Sequence, residues 1–404
     1  MISVSEALSI VTDGLAPLPA EQIGLESALD RVLAEDMVSR VTQPPIDVSS
    51  MDGYAVRTED VTQVPTTLRL IGESAAGTGF TGTVKTGQAV RISTGAPVPN
   101  GADAIIIQEE TRVNGSAVTV LGATICGRWI RTAGLDFVKG QALLQAGRKL
   151  TPRDIGLAAA MNVPWLRVRR KPRIAFVATG NEIVWPGEPL GPAQIISSNS
   201  FALAAFISRL GGNPVNLGIA SDNEGSLMQV FDGSRGADML VTMGGASVGD
   251  HDLVRKALSD AGLKLGFYRV AMRPGKPLIF GRLGDVPVLG LPGNPVSVGV
   301  TAAIFLKPAM EAMLDIRGVD CPQPVAVLGC DIDANDQRQD YLRARLVHDK
   351  AGVLIATPFP KQDSSMLSQF CTADCLVVRP PRAPLARIGE LVPIVPLTDA
   401  ISCI

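Results

Sequence analysis

IAFVATG, residues 174–180, is a run of five apolar residues closed by Thr179 and Gly180, and SNSFALAAFISRLGG at 198–212 follows it with helical spacing and a glycine stop. The short run reads as a strand and the longer one as a helix ended by Gly211 and Gly212. The alternation continues through PVNLGIA (214–220), GSLMQVFDGSRG (225–236), DMLVTMGG (238–245), HDLVRKALSDAG (251–262), VPVLGLPG (286–293) and NPVSVGVTAAIFLKPAMEAML (294–314). Strand and helix in strict turn predict a parallel sheet with crossover helices, a doubly wound α/β domain over residues 172–318.

Outward from that core the character changes on both sides. VSEALSIVTDGL (4–15) and EQIGLESALDRVLAED (21–36) are predicted as two amphipathic helices separated by Pro17 and Pro19, with Ser27 and Asp30 as a further cap signal. TLRLIG, AVRIS and ADAIIIQEET are strand-like pieces between glycine turns, which places an inserted β domain at 45–140. A helix, TPRDIGLAAAMNV, and a strand, WLRVRRKP, follow from Thr151, so residues 1–44 and 141–171 form a small linking domain. The proline-rich remainder, 319–404, with PVAVLG, YLRARLV, GVLIATPF, CLVVRPP and LVPIV, closes the chain as a second all-β unit.

At 404 residues the chain exceeds one compact core, and 46% hydrophobic against 19% charged residues make it globular. A net charge of -2 leaves no basic footprint for a nucleic-acid backbone. No signal peptide and no apolar run long enough for a bilayer are read from the chain, so no membrane partner is expected. The 6 cysteines are scattered, which suits reduced thiols in the cytoplasm, and the spacing of Cys371 and Cys375 suits a helix face. With 2 histidines, a structural zinc site is not expected.

Three strand-to-helix transitions carry glycine: VATGNEIV with Gly180, Asn181 and Glu182; TMGGASVGDHD with Gly244, Gly245, Ser247 and Asp252; and LGLPGNPVS with Pro292, Gly293, Asn294, Pro295 and Ser297. Ligands of open α/β sheets collect at the carboxyl ends of strands, where glycine admits a close ligand and the first helical amides face it. Taken singly, each loop is weak evidence and more often a plain turn, since such a turn needs φ > 0 whatever the function. None has the dinucleotide GxGxxG form, and Lys276 in RPGKP is no phosphate-loop lysine. Glu182, Asp222 and Asp252 at strand ends form a candidate Mg²⁺ site, although Asp222 and Asp252 alone would also serve as helix caps. Lys276 is a candidate partner for a phosphate or oxyanion.

SSMDGYAV (49–56), RISTGAPVPNGADAII (91–106), VATGNEIV, TMGGASVGDHD, RPGKP and LPGNPVS, in this order, closely resemble the molybdopterin molybdenumtransferase family, known as MoeA in bacteria and as the E domains of gephyrin and the plant Cnx proteins. The resemblance runs nearly the length of the chain and is strongest between Pro44 and Ser297. It implies an elongated homodimer whose chain carries an α/β molybdopterin-binding domain, a β domain inserted ahead of it, a small linking domain and a C-terminal β barrel. It also implies the reaction: adenylylated molybdopterin and molybdate are the substrates, a divalent cation assists, and AMP leaves as molybdenum cofactor forms. An adenylyltransferase and a downstream molybdenum enzyme are implied as partners.

The family's functional acids match Asp52, Glu182, Asp222 and Asp252, and Thr94, Asp136, Ser247, Lys276, Pro292, Pro295 and Ser297 fall on further site positions. Arg343 and Ser364 align with its oxyanion-binding arginine and serine. Across the implied dimer, the SSMDGYAV loop is expected to deliver Asp52 to the partner's crevice, held by buried Met51 and Tyr54. Two departures stand out, Asn181 and Ser197, where the family more often has Asp. The competing readings are a non-catalytic scaffold of the gephyrin type and an adenylyltransferase or nucleotide hydrolase on the same α/β fold.

Overall fold

The computed structural model describes residues 1–244, 260, 262–317 and 323–397. The α/β domain is built on a six-stranded sheet in the order Asn213–Ala220, Arg173–Thr179, Met239–Met243, Val286–Leu291, Pro277–Leu283 and Leu263–Arg269. The first four strands are parallel. The predicted parallel sheet is extended at the far edge, where Pro277–Leu283 and Leu263–Arg269, not read as strands from the sequence, add antiparallel neighbours. Antiparallel neighbours need no crossover helix, so the strand–helix rhythm that identified the others passes over them. Ile174 and Phe176 enter one core, Ala175 and Val177 the other, so every side chain of IAFVA is covered, as parallel sheets require.

The helix Val4–Asp13 packs Val4, Ala7 and Val11 into the first of these cores, and the Ser3 hydroxyl accepts from Glu6 N–H at 3.1 Å to cap it. The second predicted helix, 21–36, is not one. Ala20–Gly24 is a strand paired antiparallel with Trp165–Arg169, followed by a single 3-10 turn, and Asp30 has φ 62. A distant strand partner overrode local helical spacing there, and Asp30 bonds Lys149 rather than capping.

The inserted β domain is a curled six-stranded sheet in the order Ala104–Ile107, Gly53–Val56, Gln88–Ile92, Thr66–Ser74, Ala117–Val120 and Thr111–Asn114. Its second strand is buried on both faces, with Tyr54 and Val56 in one cluster and Ala55 in another. In the C-terminal region Gln339–His348, Leu354–Pro358, Val325–Leu328, Leu391–Pro396 and Cys375–Arg379 close into a barrel, the last strand returning to the first. Met272–Arg273 from the α/β domain pairs in parallel with Gln339–Asp340. Tyr341, Leu376 and Val378 of the barrel join the α/β core, and that burial pushes the Tyr341 phenol up to about 12. The barrel is thereby seated beside the sheet's carboxyl edge.

Cys371 and Cys375 do not share a helix face: Cys371 ends the short helix Leu367–Cys371, while Cys375 is buried at the start of a strand. Burial, reinforced by Asp374, raises the Cys375 thiol to about 12. The continuous helix Pro295–Met313 spans 19 residues and is apolar enough for a bilayer by length and composition, contrary to the reading of the sequence, but 67% of it is buried in the protein. It is a core helix.

Candidate functional site

A crevice of about 1050 Å³ runs along the carboxyl edge of the sheet, between the α/β domain and the barrel. Gly180 and Glu182 follow the second strand in sheet order, Asp222 the first, Gly244 the third, and Pro292, Gly293, Asn294, Pro295 and Ser297 the fourth; all of them line it, as do Lys276 and Ser364. Gly244 is required sterically. A Cβ on Gly244, whose φ is 97, would lie 2.6 Å from Thr179 O, and one on Gly293 would meet Gly244 Cα at 3.5 Å, so the two loops are nested. Gly245, Ser247 and Asp252 lie outside the described residues.

Glu182 folds back over its own loop: a Cβ on Gly180 would meet Glu182 Oε2 at 2.5 Å. Asn181 Oδ1 accepts from Asp222 N–H at 3.1 Å, tying the loops that carry the two acids. Those loops leave adjacent strands, and Glu182 and Asp222 both line the crevice with hard oxygen donors. That donor chemistry fits a divalent cation that takes its remaining ligands from phosphate and water. Among the described residues, however, no group of three His, Cys, Asp or Glu side chains is close enough to hold a metal alone. Ser197, the other departure, pairs its hydroxyl with Ser200 at 2.9 Å and is buried.

The far end carries the cations. Arg273 and Arg338 line the crevice beside Lys276, and neither arginine was singled out from sequence. Arg273 forms ion pairs with Asp340, Nε to Oδ1 3.0 Å, and with Asp336, Nη2 to Oδ2 3.2 Å. Arg338 Nε donates to Asp336 at 3.1 Å. The Arg338 guanidinium and its backbone N–H hold Asp336 far below the usual carboxylate range, while burial raises Asp340. Among the described residues the Lys276 ammonium has no partner.

Arg343 is corrected. It does not line the crevice and is 1% exposed, with Nε donating to Gln362 Oε1 at 3.2 Å, Nη2 to Lys361 O at 3.2 Å and Nη1 to Met366 O at 3.4 Å. Its donors clamp the loop that presents Asp363, Ser364 and Ser365 to the crevice. Ser364 Oγ accepts from Asn294 Nδ2 at 2.8 Å, and Ser364 O accepts from Val296 N–H at 3.1 Å. The barrel loop is thus hydrogen-bonded to the third glycine loop.

Asp52, Thr94 and Asp136 do not line this crevice within one chain. Asp52 and Thr94 do come together, since Asp52 Oδ1 accepts from Thr94 N–H at 2.7 Å and from its hydroxyl at 3.1 Å. Asp136 lines a separate cleft of about 460 Å³ with Gly95, Pro44 and Arg131. Tyr54 is buried as expected, Met51 only half so. Gly53 is mandatory because a Cβ there would sit 1.9 Å from Ile106 O.

Comparison with known proteins agrees along the chain. Residues 2–162 match the family described as "MoeA N-terminal region (domain I and II)", 175–312 the "Probable molybdopterin binding domain", and 325–397 the "MoeA C-terminal region (domain IV)". A molybdopterin molybdenumtransferase of Haemophilus influenzae is 32% identical over 400 residues, covering 98% of each chain. That of Bacillus subtilis is 33% identical, covering 94% of this chain and 90% of its own. A crystal structure of a molybdopterin biosynthesis MoeA protein from Pyrococcus horikoshii superposes with a TM-score of 0.86 at 31% identity, over 98% of this chain and 99% of that one.

Proposed function

The chain belongs to the molybdopterin molybdenumtransferase family, and from that premise we propose that it joins molybdate to adenylylated molybdopterin in the crevice between sheet and barrel, releasing AMP. The observation that carries the reading is one cleft with two carboxylates from adjacent strands at one end and Arg273, Lys276 and Arg338 at the other. A nucleotide-like phosphoanhydride and an oxyanion need such a division. An enzyme confined to the α/β fold is disfavoured because the family match extends across the β domain and the barrel.

Chemically, water opens the phosphoanhydride to give AMP and the pterin phosphate. The two thiols of the dithiolene give their protons to one molybdate oxygen, which leaves as water while two Mo–S bonds form. Molybdenum is neither oxidised nor reduced. Glu182 and Asp222 would hold Mg²⁺, which offsets phosphate charge when bound. Lys276 supplies a compact positive charge to an oxyanion, and the amide after Pro292 offers a neutral donor, whereas Val296 N–H is already given to Ser364 O. Arg338 takes the oxyanion-binding place first assigned to Arg343, with Ser364 beside it. Asp52, positioned by Thr94, acts in a partner's crevice in a homodimer, and Asp136 lines a cleft that reaches Gly95, the residue after Thr94. A cytoplasmic location completes the reading, resting on free cysteines at 126, 330, 371 and 375.

The test is to incubate the protein with adenylylated molybdopterin, molybdate and magnesium and to follow AMP. Molybdate- and magnesium-dependent release is expected; a protein that binds the substrate but liberates no AMP under any of these conditions refutes the assignment.

A further inference from the structure

The strand order measures distance along the crevice. Sheet neighbours lie about 4.8 Å apart. Asp222 leaves the first strand, Glu182 the second, Gly244 the third and Pro292 the fourth, while Lys276 leads into the fifth. Four steps therefore separate Asp222 from Lys276, about 19 Å. Charge follows the same order: Asp222 and Glu182 follow the first two strands, whereas Lys276 leads into the fifth and Arg273, joined to Arg338 through Asp336, stands three residues before it.

The acid end has an apolar wall that no role described above uses. Ile183, Ile195 and Ile196 line the crevice there, and Ile195 and Ile196 are 57% and 39% exposed. They sit on a small parallel ribbon, Ile183 opposite Ile195 and Val184 opposite Ile196. Ile195 N–H bonds Glu182 O at 2.8 Å, and Ser197 N–H bonds Val184 O at 2.8 Å, so the ribbon is fastened to the loop carrying the acid. Trp185 braces it with an edge contact to Phe201, ring centroids 6.0 Å apart. Branched apolar side chains held at the wall of a cleft favour a flat, poorly hydrated ligand surface.

On the function proposed above, the substrate carries two flat heterocycles on opposite sides of a phosphoanhydride. The pterin side bears the sulfurs that must meet molybdate, a dianion drawn to the cationic end. The adenine is left for the other end. We propose that Ile183, Ile195 and Ile196 form an adenine-binding shelf, so that the substrate lies along the sheet edge with its nucleoside over the Glu182 loop and its dithiolene toward Lys276 and Arg338.

AMP and ribose 5-phosphate are the probes, measured by calorimetry or competition on the full-length protein. Ile195→Asn with Ile196→Asn, both at exposed positions, is expected to raise the Kd for AMP about tenfold or more. The same variant should leave ribose 5-phosphate and the molybdate concentration for half-maximal activity within about twofold. The shelf is refuted if wild-type protein fails to bind AMP, if the variant binds AMP normally, or if both probes weaken equally. It is also refuted if the variant loses affinity for molybdopterin lacking the adenylyl group, which would put the pterin on the shelf. Failure of AMP release in the preceding assay with base-specific AMP binding retained would sink the proposed reaction and leave the shelf standing.

Discussion

Arg338 and Arg343 stand five residues apart, and their surroundings assign them different work. Arg338 reaches the crevice, whereas Arg343 spends its donors inside the barrel. Arg338→Ala is expected to raise the molybdate concentration for half-maximal turnover about tenfold, the usual worth of one charged hydrogen bond, with little change in thermal unfolding. Arg343→Ala should instead destabilise the barrel by about 3 kcal/mol, since Gln362 and two carbonyls lose their donor. Steady-state kinetics and calorimetric melting of both variants decide the matter; the reverse pattern would restore the oxyanion role to Arg343. The sequence singles out Arg343 on the strand-like YLRARLV and passes over Arg338 just before it; burial separates the two.

At the scale of elements, the helix Pro152–Ala160 shows how much of its ends a sequence announces. Thr151 and Asp154 form a reciprocal capping box, with Thr151 N–H donating to Asp154 Oδ2 at 2.9 Å, and Arg148 Nη2 bonds Asp154 Oδ1 at 2.9 Å. Burial raises the Asp154 pKa, but the bonds from Arg148 and Thr151 outweigh it and the net shift is downward. The folded state therefore favours the carboxylate: this stabilisation is complete above the unfolded value near 3.9 and is lost as pH falls through the lower folded value. Asp154→Asn should cost about 1 kcal/mol at pH 7. Denaturant titrations should show that difference shrinking below about pH 4; a pH-independent difference would mean that the side chain acts through shape alone. The helix over 21–36 shows the opposite case. Its spacing favours a helix, yet Ala20–Gly24 finds a strand partner far along the chain, Ala20 facing Arg169, where local propensity no longer decides.

On the scale of the whole molecule, the acids of the proposed reaction lie in two places. Glu182 and Asp222 line the crevice, whereas Asp52 is held by Thr94 on the β domain away from it. In a homodimer with shared sites, Asp52→Ala and Glu182→Ala variants would each be inactive alone. Unfolded and refolded together in equal amounts, they should recover about one quarter of wild-type activity, because half the dimers are mixed and each holds one intact site of two. Recovery absent despite demonstrated subunit exchange would confine each site to one chain. The barrel is bound into the same design: Met272–Arg273 pairs with Gln339–Asp340, and Ser364 bonds the glycine loop, so the crevice has two walls only when both domains are in place.

The apolar runs, glycine stops and the order of SSMDGYAV, VATGNEIV, RPGKP and LPGNPVS were enough to read the layers, the crevice edge and the placing of Glu182 and Asp222 along it. Those signals are local, since a strand buried on both faces and a glycine with no room for a Cβ leave their mark in adjacent residues. The antiparallel edge, the strand at Ala20–Gly24, the burial of Arg343 against the crevice position of Arg338, and the isoleucine wall were decided only by folding. Each depends on which distant segment lies against a residue, and burial and hydrogen-bond partners are properties of that contact rather than of the residue type.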